Sequence, residues 1–243
     1  DNDMFVILDW VPNHTGWDHS WIANHPDFYT HNAEGEIIHP EGTDWTDVAD
    51  LNYDNIDMQE AMIADMMYWV EKENIDGFRC DVASEVPTTF WEKAIPRLRA
   101  KHSVFMLAEA EKAELNKDPL FDMSYAWSGH HLLNQLAKGE ANAEDLKTYV
   151  SKINKTFEAN DMLMNFVTNH DENSWNGTIE ERMGAMGPAL TVLSYTLPGM
   201  PLIYSGQEYG MNHRLKFFEK DQIPKTKGVA WQLLEQLAIL KQN

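Results

Sequence analysis

The sequence predicts an α/β fold, a (β/α)8 TIM barrel present in part, on three observations. Short apolar strands alternate with helical stretches, which implies a parallel sheet. The strands end in polar residues, which favours a barrel over a flat sheet. Six such strands can be counted in the 243 residues, where a closed barrel has eight.

The elements follow in order. Met4 to Leu8 is a continuous apolar run that suits a strand buried on both faces, with Asp9 at its exit. From Asp57 to Glu73, Ala61, Met62, Met66, Trp69 and Val70 fall at helical spacing, and Asn74 closes the helix before a second strand, Ile75 to Asp81. Thr89 stands where it can cap a helix carrying Phe90, Trp91, Ala94, Ile95 and Leu98, and Pro96 is expected to kink that helix or mark a late start. Val104 to Ala108 and Phe121 to Tyr125 read as the next strands. Helical stretches follow around Leu132 to Lys138 and Ala143 to Thr156, and Met162 to Thr168 is extended again. Glu180 to Thr196 reads as one helix ended by Pro198-Gly199, Pro201 to Tyr204 as the last strand, and Val229 to Lys241 as the last amphipathic helix.

About forty residues rich in Asp, His, Trp and Gly separate the first strand from the first long helix, too many for a plain connection. Residues 15–55 are therefore expected to form a short excursion from a barrel made of residues 1–14 and 56–243. Its Trp17, Trp21, Tyr29, Trp45 and Tyr53 serve either to stack on a ligand or to fill the excursion's own small core, the commoner use.

Nineteen basic against 39 acidic residues give a net charge of −20, which repels a phosphate backbone and anionic lipid. Nucleic acid is a poor partner, and a neutral substrate is compatible. The balance also suits a secreted or periplasmic protein without deciding the compartment. No run of eighteen apolar residues offers a membrane span. The single cysteine, Cys80, has no internal disulfide partner, and by strand alternation it faces away from its neighbours Arg79 and Asp81 into packing.

The strand exits carry the chemistry. Arg79 and Asp81, two residues apart on a strand, point the same way, and a guanidinium beside a carboxylate keeps it ionised, as a nucleophile requires. Asp9, Asn13 and His14 leave the first strand, Glu109 the third, and Asn169, His170 and Asp171 the fifth. Three carboxylates with histidines and an arginine suit either metal-assisted hydrolysis or glycosyl transfer. The His-Glu-x-x-His spacing of a metal site is absent. His130-His131, His19, His25 and His31 read as surface or capping histidines.

Leu8-Asp9-Trp10-Val11-Pro12-Asn13-His14, Gly77-Phe78-Arg79-Cys80-Asp81, Leu107-Ala108-Glu109 and Phe166-Val167-Thr168-Asn169-His170-Asp171 resemble four ordered regions of the α-amylase family of glycoside hydrolases. Ala49-Asp50-Leu51-Asn52 and the stretch from Gly199 to Glu208 agree as well. The resemblance implies a catalytic barrel, about strands 3 to 8, acting on α-glucosidic bonds of starch-like glucans or maltooligosaccharides. It makes Asp81 the nucleophile, Glu109 the general acid and base, and Asp171 the carboxylate that grips sugar hydroxyls. His14, His170 and Arg79 become substrate-binding residues, with Asp9 and Asn13 supporting. Glu109, taken to have no arginine beside it and to sit near two acids, is expected to hold its proton. Glu111 is its rival by strand parity, and Glu208 is expected to cap loop backbone.

No cofactor is needed for this chemistry. In the family, the counterpart of Asn13 often shares a structural calcium with a histidine four residues after the nucleophile, where this chain has Glu85, itself able to ligate calcium. The lysine that commonly precedes that position is Ser84 here. The family barrel also begins with two strand and helix units, and ends with a β-sandwich domain, that these residues do not contain. Asp1 to Asp3 then read as the tail of a helix and the chain as an internal fragment, expected to aggregate or to need the missing units for activity. Transglycosylation is the same chemistry with sugar in place of water. A non-catalytic relative serving as a binding or complex subunit usually lacks one of the carboxylates, and a carbohydrate-binding module does not explain Glu109 with Arg79 and Asp81.

Overall fold

The computed structural model describes residues 4–242, so the reading of Asp1 to Asp3 as a helix tail lies outside the described residues. The chain divides into two units, Asp1–Ser124 and Tyr125–Asn243.

The first unit runs through β1 (Ile7–Trp10), β2 (His14–Gly16), α1 (Ser20–Asn24), β3 (Val48–Asp50), α2 (Ile56–Glu71), β4 (Gly77–Cys80), α3 (Thr88–Arg99), β5 (Phe105–Ala108) and β6 (Met123–Tyr125), whose last residue opens the second unit. Parallel pairing runs from β1 to β4 to β5 to β6. The antiparallel pair β2–β3, with His14 opposite Asp50 and Gly16 opposite Val48, ties together the two ends of the segment between them. Asn55 starts α2 by accepting hydrogen bonds from the backbone N–H groups of Asp57 (2.9 Å) and Met58 (3.1 Å). That helix buries Met58, Met62, Ile63, Met66 and Val70, and α3 buries Phe90, Trp91, Ala94, Ile95 and Leu98. These belong to one core with Phe78 and Cys80 of β4 and Met106 and Ala108 of β5. Each fully buried Phe, Met or Ile contributes roughly 1.5–3 kcal/mol before conformational entropy is subtracted. Gly77 is required where β4 meets β5, because a Cβ there would collide with the Phe105 carbonyl.

The second unit comprises α4 (Trp127–Lys138), α5 (Ala143–Thr156), β7 (Met162–Asn165), α6 (Ile179–Met183), α7 (Gly187–Thr196), β8 (Met200–Pro201) and α8 (Val229–Gln242). Strands β7 and β8 pair in parallel, and Gly199 sits where a Cβ would strike the Leu163 carbonyl.

Several expectations are corrected. The first strand begins at Ile7 and is only half buried, with Met4, Phe5 and Val6 exposed, because among the described residues β1 pairs on one side alone. Helix α3 passes through Pro96 and starts after Pro87, with no side-chain cap from Thr89, since Ile95 and Leu98 on either side of the proline are fully buried and hold the turn in place. The single helix read over 180–196 is two, because Gly184 takes φ 50 and ψ −136, a conformation no helix continues through, and Gly187-Pro188 starts a new one. The last strand keeps only Met200 and Pro201, and the strand read over 162–168 stops at Asn165, because the β7–β8 ladder pairs only Met164 with Met200 and Asn165 with Pro201 before the two chains part. Finally, His130 is buried, as described below.

Candidate active site

Register builds the centre of the site. In the parallel ladder Asp9 lies opposite Arg79, and Cys80 opposite Ala108, which puts Asp81 in the same row as Glu109. The backbone continues that alignment past the strand ends, with the Asp81 N–H donating to the Trp10 carbonyl and the Glu109 N–H to the Cys80 carbonyl, both at 2.9 Å. Since side chains alternate along a strand, Asp9, Arg79, Asp81 and Glu109 share one face.

The Arg79 guanidinium joins all three carboxylates. Its Nη1 donates to Asp81 Oδ1 at 2.7 Å and to Asp9 Oδ1 at 2.8 Å, and its Nη2 lies 2.9 Å from Glu109 Oε2. Arg79 and Glu109 are 9% exposed at their side chains, Asp81 is 22% exposed and Asp9 58%. The premise that Glu109 has no arginine beside it is therefore corrected, yet its carboxyl is still pushed up to about 8. Burial is the main cause, and Asp81 adds to it against the opposing pull of Arg79 and the Val82 N–H. That N–H donates to Glu109 Oε2 at 2.9 Å from a residue with φ 36, a left-handed conformation strained for a β-branched side chain. Glu109 is thus the glutamate that lies against Arg79, in preference to Glu111. Cys80 packs into the core, where burial pushes its thiol far above the ordinary range.

His14 is half-buried, and burial lowers its pKa while Asp81, Asp47 and Asp50 pull the other way, so it lies within the electrostatic reach of Asp81. Its Nδ1 is 3.4 Å from the Asn13 amide, and Trp45 meets its ring edge-on at 5.6 Å. Of the excursion aromatics, Tyr29 is fully buried, Trp21 packs on Phe28 and Tyr53 on Phe90, while Trp17 stays 41% exposed. Asn13 is buried, and Glu85 accepts from the Ser84 hydroxyl at 3.3 Å. Among the described residues no group of three or more His, Cys, Asp or Glu side chains is gathered as if for a metal ion.

In the second unit His170 Nε2 lies 3.3 Å from Asp171 Oδ2, both side chains about a third or more exposed. Buried Asn169 orders this turn by accepting the Glu172 N–H at 2.8 Å. Burial raises the Tyr204 hydroxyl's pKa and Asp171 raises it further, so Tyr204 belongs to the same locality. Glu208 accepts from the Gly206 N–H at 2.8 Å, as expected of a loop cap.

One network was not legible in the sequence. His130 is 1% exposed, with Nδ1 at 3.1 Å from the Phe166 carbonyl and Nε2 at 3.1 Å from Glu172 Oε2. Arg182 donates to the carbonyls of Val167 (2.8 Å) and Gly177 (2.9 Å) and to Asn134 Oδ1 (2.8 Å). Burial pushes the Glu172 carboxyl upward, but His130 and Arg182 outweigh it and hold it below its usual value. His19, by contrast, does cap α1, accepting from the Trp21 N–H.

Replacing Arg79 with leucine is expected to cost about 3 kcal/mol of stability, the lower end for stripping a buried charge network of its cation, because Asp9 and Asp81 keep some water. A urea titration would register this as a lower midpoint, and a change under about 0.5 kcal/mol would contradict the network's structural role.

A parallel sheet that gathers an arginine and three carboxylates at its strand exits is a partial (β/α) barrel of the catalytic-domain class. The family described as "Alpha amylase, catalytic domain" matches residues 42–236, and the chain belongs to the α-amylase family. It is 27% identical over 225 residues to the α-amylase MalA of Haloarcula japonica, covering 88% of this chain and 33% of that protein. It is 26% identical to a 4-α-glucanotransferase of Thermotoga neapolitana, covering 87% and 54%. The crystal structure of an α-amylase from Lactobacillus plantarum superimposes with a TM-score of 0.85 at 30% identity, covering 99% of this chain and 60% of that one. The chain thus spans from about a third to about half the length of these curated relatives. Among the described residues no helix is long and apolar enough to cross a membrane.

Proposed function

We propose that this protein cleaves α-glucosidic bonds of starch-like glucans or maltooligosaccharides with retention of configuration, by double displacement. The observation that carries the reading is the single guanidinium shared by Asp81 and Glu109, with burial pushing the Glu109 carboxyl up to about 8. Retaining chemistry uses carboxyls roughly 5–5.5 Å apart, with no room for an intervening water, and two groups joined by one arginine fit that closer spacing.

In this reading Asp81, its charge stabilised by Arg79, attacks the anomeric carbon. Glu109 Oε2 already accepts from the Val82 N–H and faces Arg79 Nη2, so the proton resides on Oε1 and passes from there to the leaving oxygen. The same oxygen then takes a proton from water as the glycosyl ester is hydrolysed. Asp171 and His170 grip hydroxyls of the ring being cleaved, as does His14, and Asp9 and Asn13 support Arg79 and His14. Residues 15–55 form the excursion beside the first strand. In this reading carboxyl side chains carry out the bond exchange, and Asn13 and Glu85, an amide and a carboxylate oxygen donor, would be the residues to hold a structural calcium.

Transfer to a second sugar is the same chemistry with a different acceptor, and the similarity to a 4-α-glucanotransferase supports it as a second reading. Incubation of the protein with maltotriose, followed by proton NMR, tests both. The α-anomer is expected first, with longer oligosaccharides appearing if transfer competes. A β-anomer as the first product, or no cleavage even by a chain that carries the further strand and helix units of the family barrel, would overturn the reading.

A further inference from the structure

Three aromatic side chains in the second unit are unusually exposed for their size: Trp175 at 56%, Phe217 at 43% and Phe218 at 74%. They form one cluster, with Trp175 and Phe217 ring centroids 4.9 Å apart, Phe217 and Phe218 5.0 Å, and Trp175 and Phe218 6.1 Å. Phe217 also stacks on His170, its ring 6.4 Å away and inclined by 23°. We propose that Trp175, Phe217 and Phe218 form a glucose-stacking platform that carries an α-glucan chain onward from the ring held at His170 and Asp171. The proposal rests on the glycosidase reading and names an extra binding site for its substrate.

Three observations favour sugar as the occupant. A pyranose presents an apolar C–H face that stacks on aromatic rings and a rim of hydroxyls that needs polar partners. Here Lys216, Glu219 and Asp221 line the same cavity of about 290 Å³ as His170, Tyr204 and Phe217. The platform is also held in place rather than left to hang. Buried Asn173, two residues after Asp171, accepts the Leu215 N–H at 2.8 Å and donates to the His213 carbonyl at 3.2 Å, while the Ser174 hydroxyl donates to the Leu215 carbonyl at 2.8 Å. Such fixing lowers the ordering cost of binding. Lastly, the patch is continuous with His170, so one chain can occupy both.

The test is calorimetric titration of maltoheptaose into the protein and into Trp175→Ala, Phe218→Ala and Trp175→Phe, with sedimentation of each. Binding should weaken at least tenfold in both alanine variants, recover in Trp175→Phe, and weaken less for maltotriose. Equal maltoheptaose affinity in wild type and alanine variants, or no binding to the wild type, overturns the platform. So does an alanine variant that loses only self-association, which would assign the patch to a second copy. Because titration needs no turnover, binding through Trp175 with no cleavage even by a chain that carries the further strand and helix units of the family barrel would sink the glycosidase reading and leave the platform standing.

Discussion

Asp81→Asn is expected to lower kcat/KM on maltooligosaccharides by roughly four to six orders of magnitude, the scale on which loss of a covalent nucleophile acts, while binding survives. The amide keeps the shape of the side chain and one oxygen to accept from Arg79 Nη1, so the ladder that holds the Asp81 backbone to Trp10 is undisturbed. What disappears is the negative charge that attacks the anomeric carbon. Titration of a maltooligosaccharide into the variant should give an affinity within a few-fold of the wild type. Turnover within tenfold of the wild type would remove Asp81 from the mechanism.

Glu109→Gln should cost roughly 10²–10⁴-fold in kcat on maltooligosaccharides, and much less on an α-glucosyl fluoride, whose leaving group needs little protonation. Burial pushes the Glu109 carboxyl up to about 8, so in the free enzyme it is protonated below that pH and kcat/KM should fall as pH rises through it. That alkaline limb should be absent from the glutamine variant. The sign for stability runs the same way. A folded-state pKa above the ordinary 4.5 means the contribution of Glu109 is complete below about 4.5 and is lost as pH climbs through about 8. Denaturant midpoints across that window should therefore decline more steeply in the wild type than in Glu109→Gln. A wild-type profile flat to pH 9 would contradict the assignment of Glu109 as the acid.

What could be read from the chain, and what could not, separates by the range of the interactions. The orientation of Arg79 towards Asp81 follows from strand parity over two residues, and their 2.7 Å contact matches it. The reach of Arg79 to Glu109 depends on the register between β4 and β5, which no local pattern encodes, and so the arginine beside Glu109 was missed even though the upward shift of its carboxyl was foreseen. Helices α2, α5 and α8 were legible because their apolar spacing or caps are strong, as with the Asn142 and Asp145 capping box of α5. The break at Gly184 was hidden because the apolar residues on either side remain helically spaced. His130 looked like a surface residue because its partners, Phe166 and Glu172, lie 36 and 42 positions away. The His170 and Asp171 pair was visible as adjacent residues, whereas the Phe217 ring over His170 comes from a loop more than forty residues later.

The most direct measurement is to trap the glycosyl ester with a fluorinated α-glucosyl fluoride that slows its hydrolysis, and to locate the added mass by peptide mapping. The account predicts one sugar per chain, attached to Asp81, with no label in Asp81→Asn. A label on Glu109, Asp171 or Asp9 would contradict it.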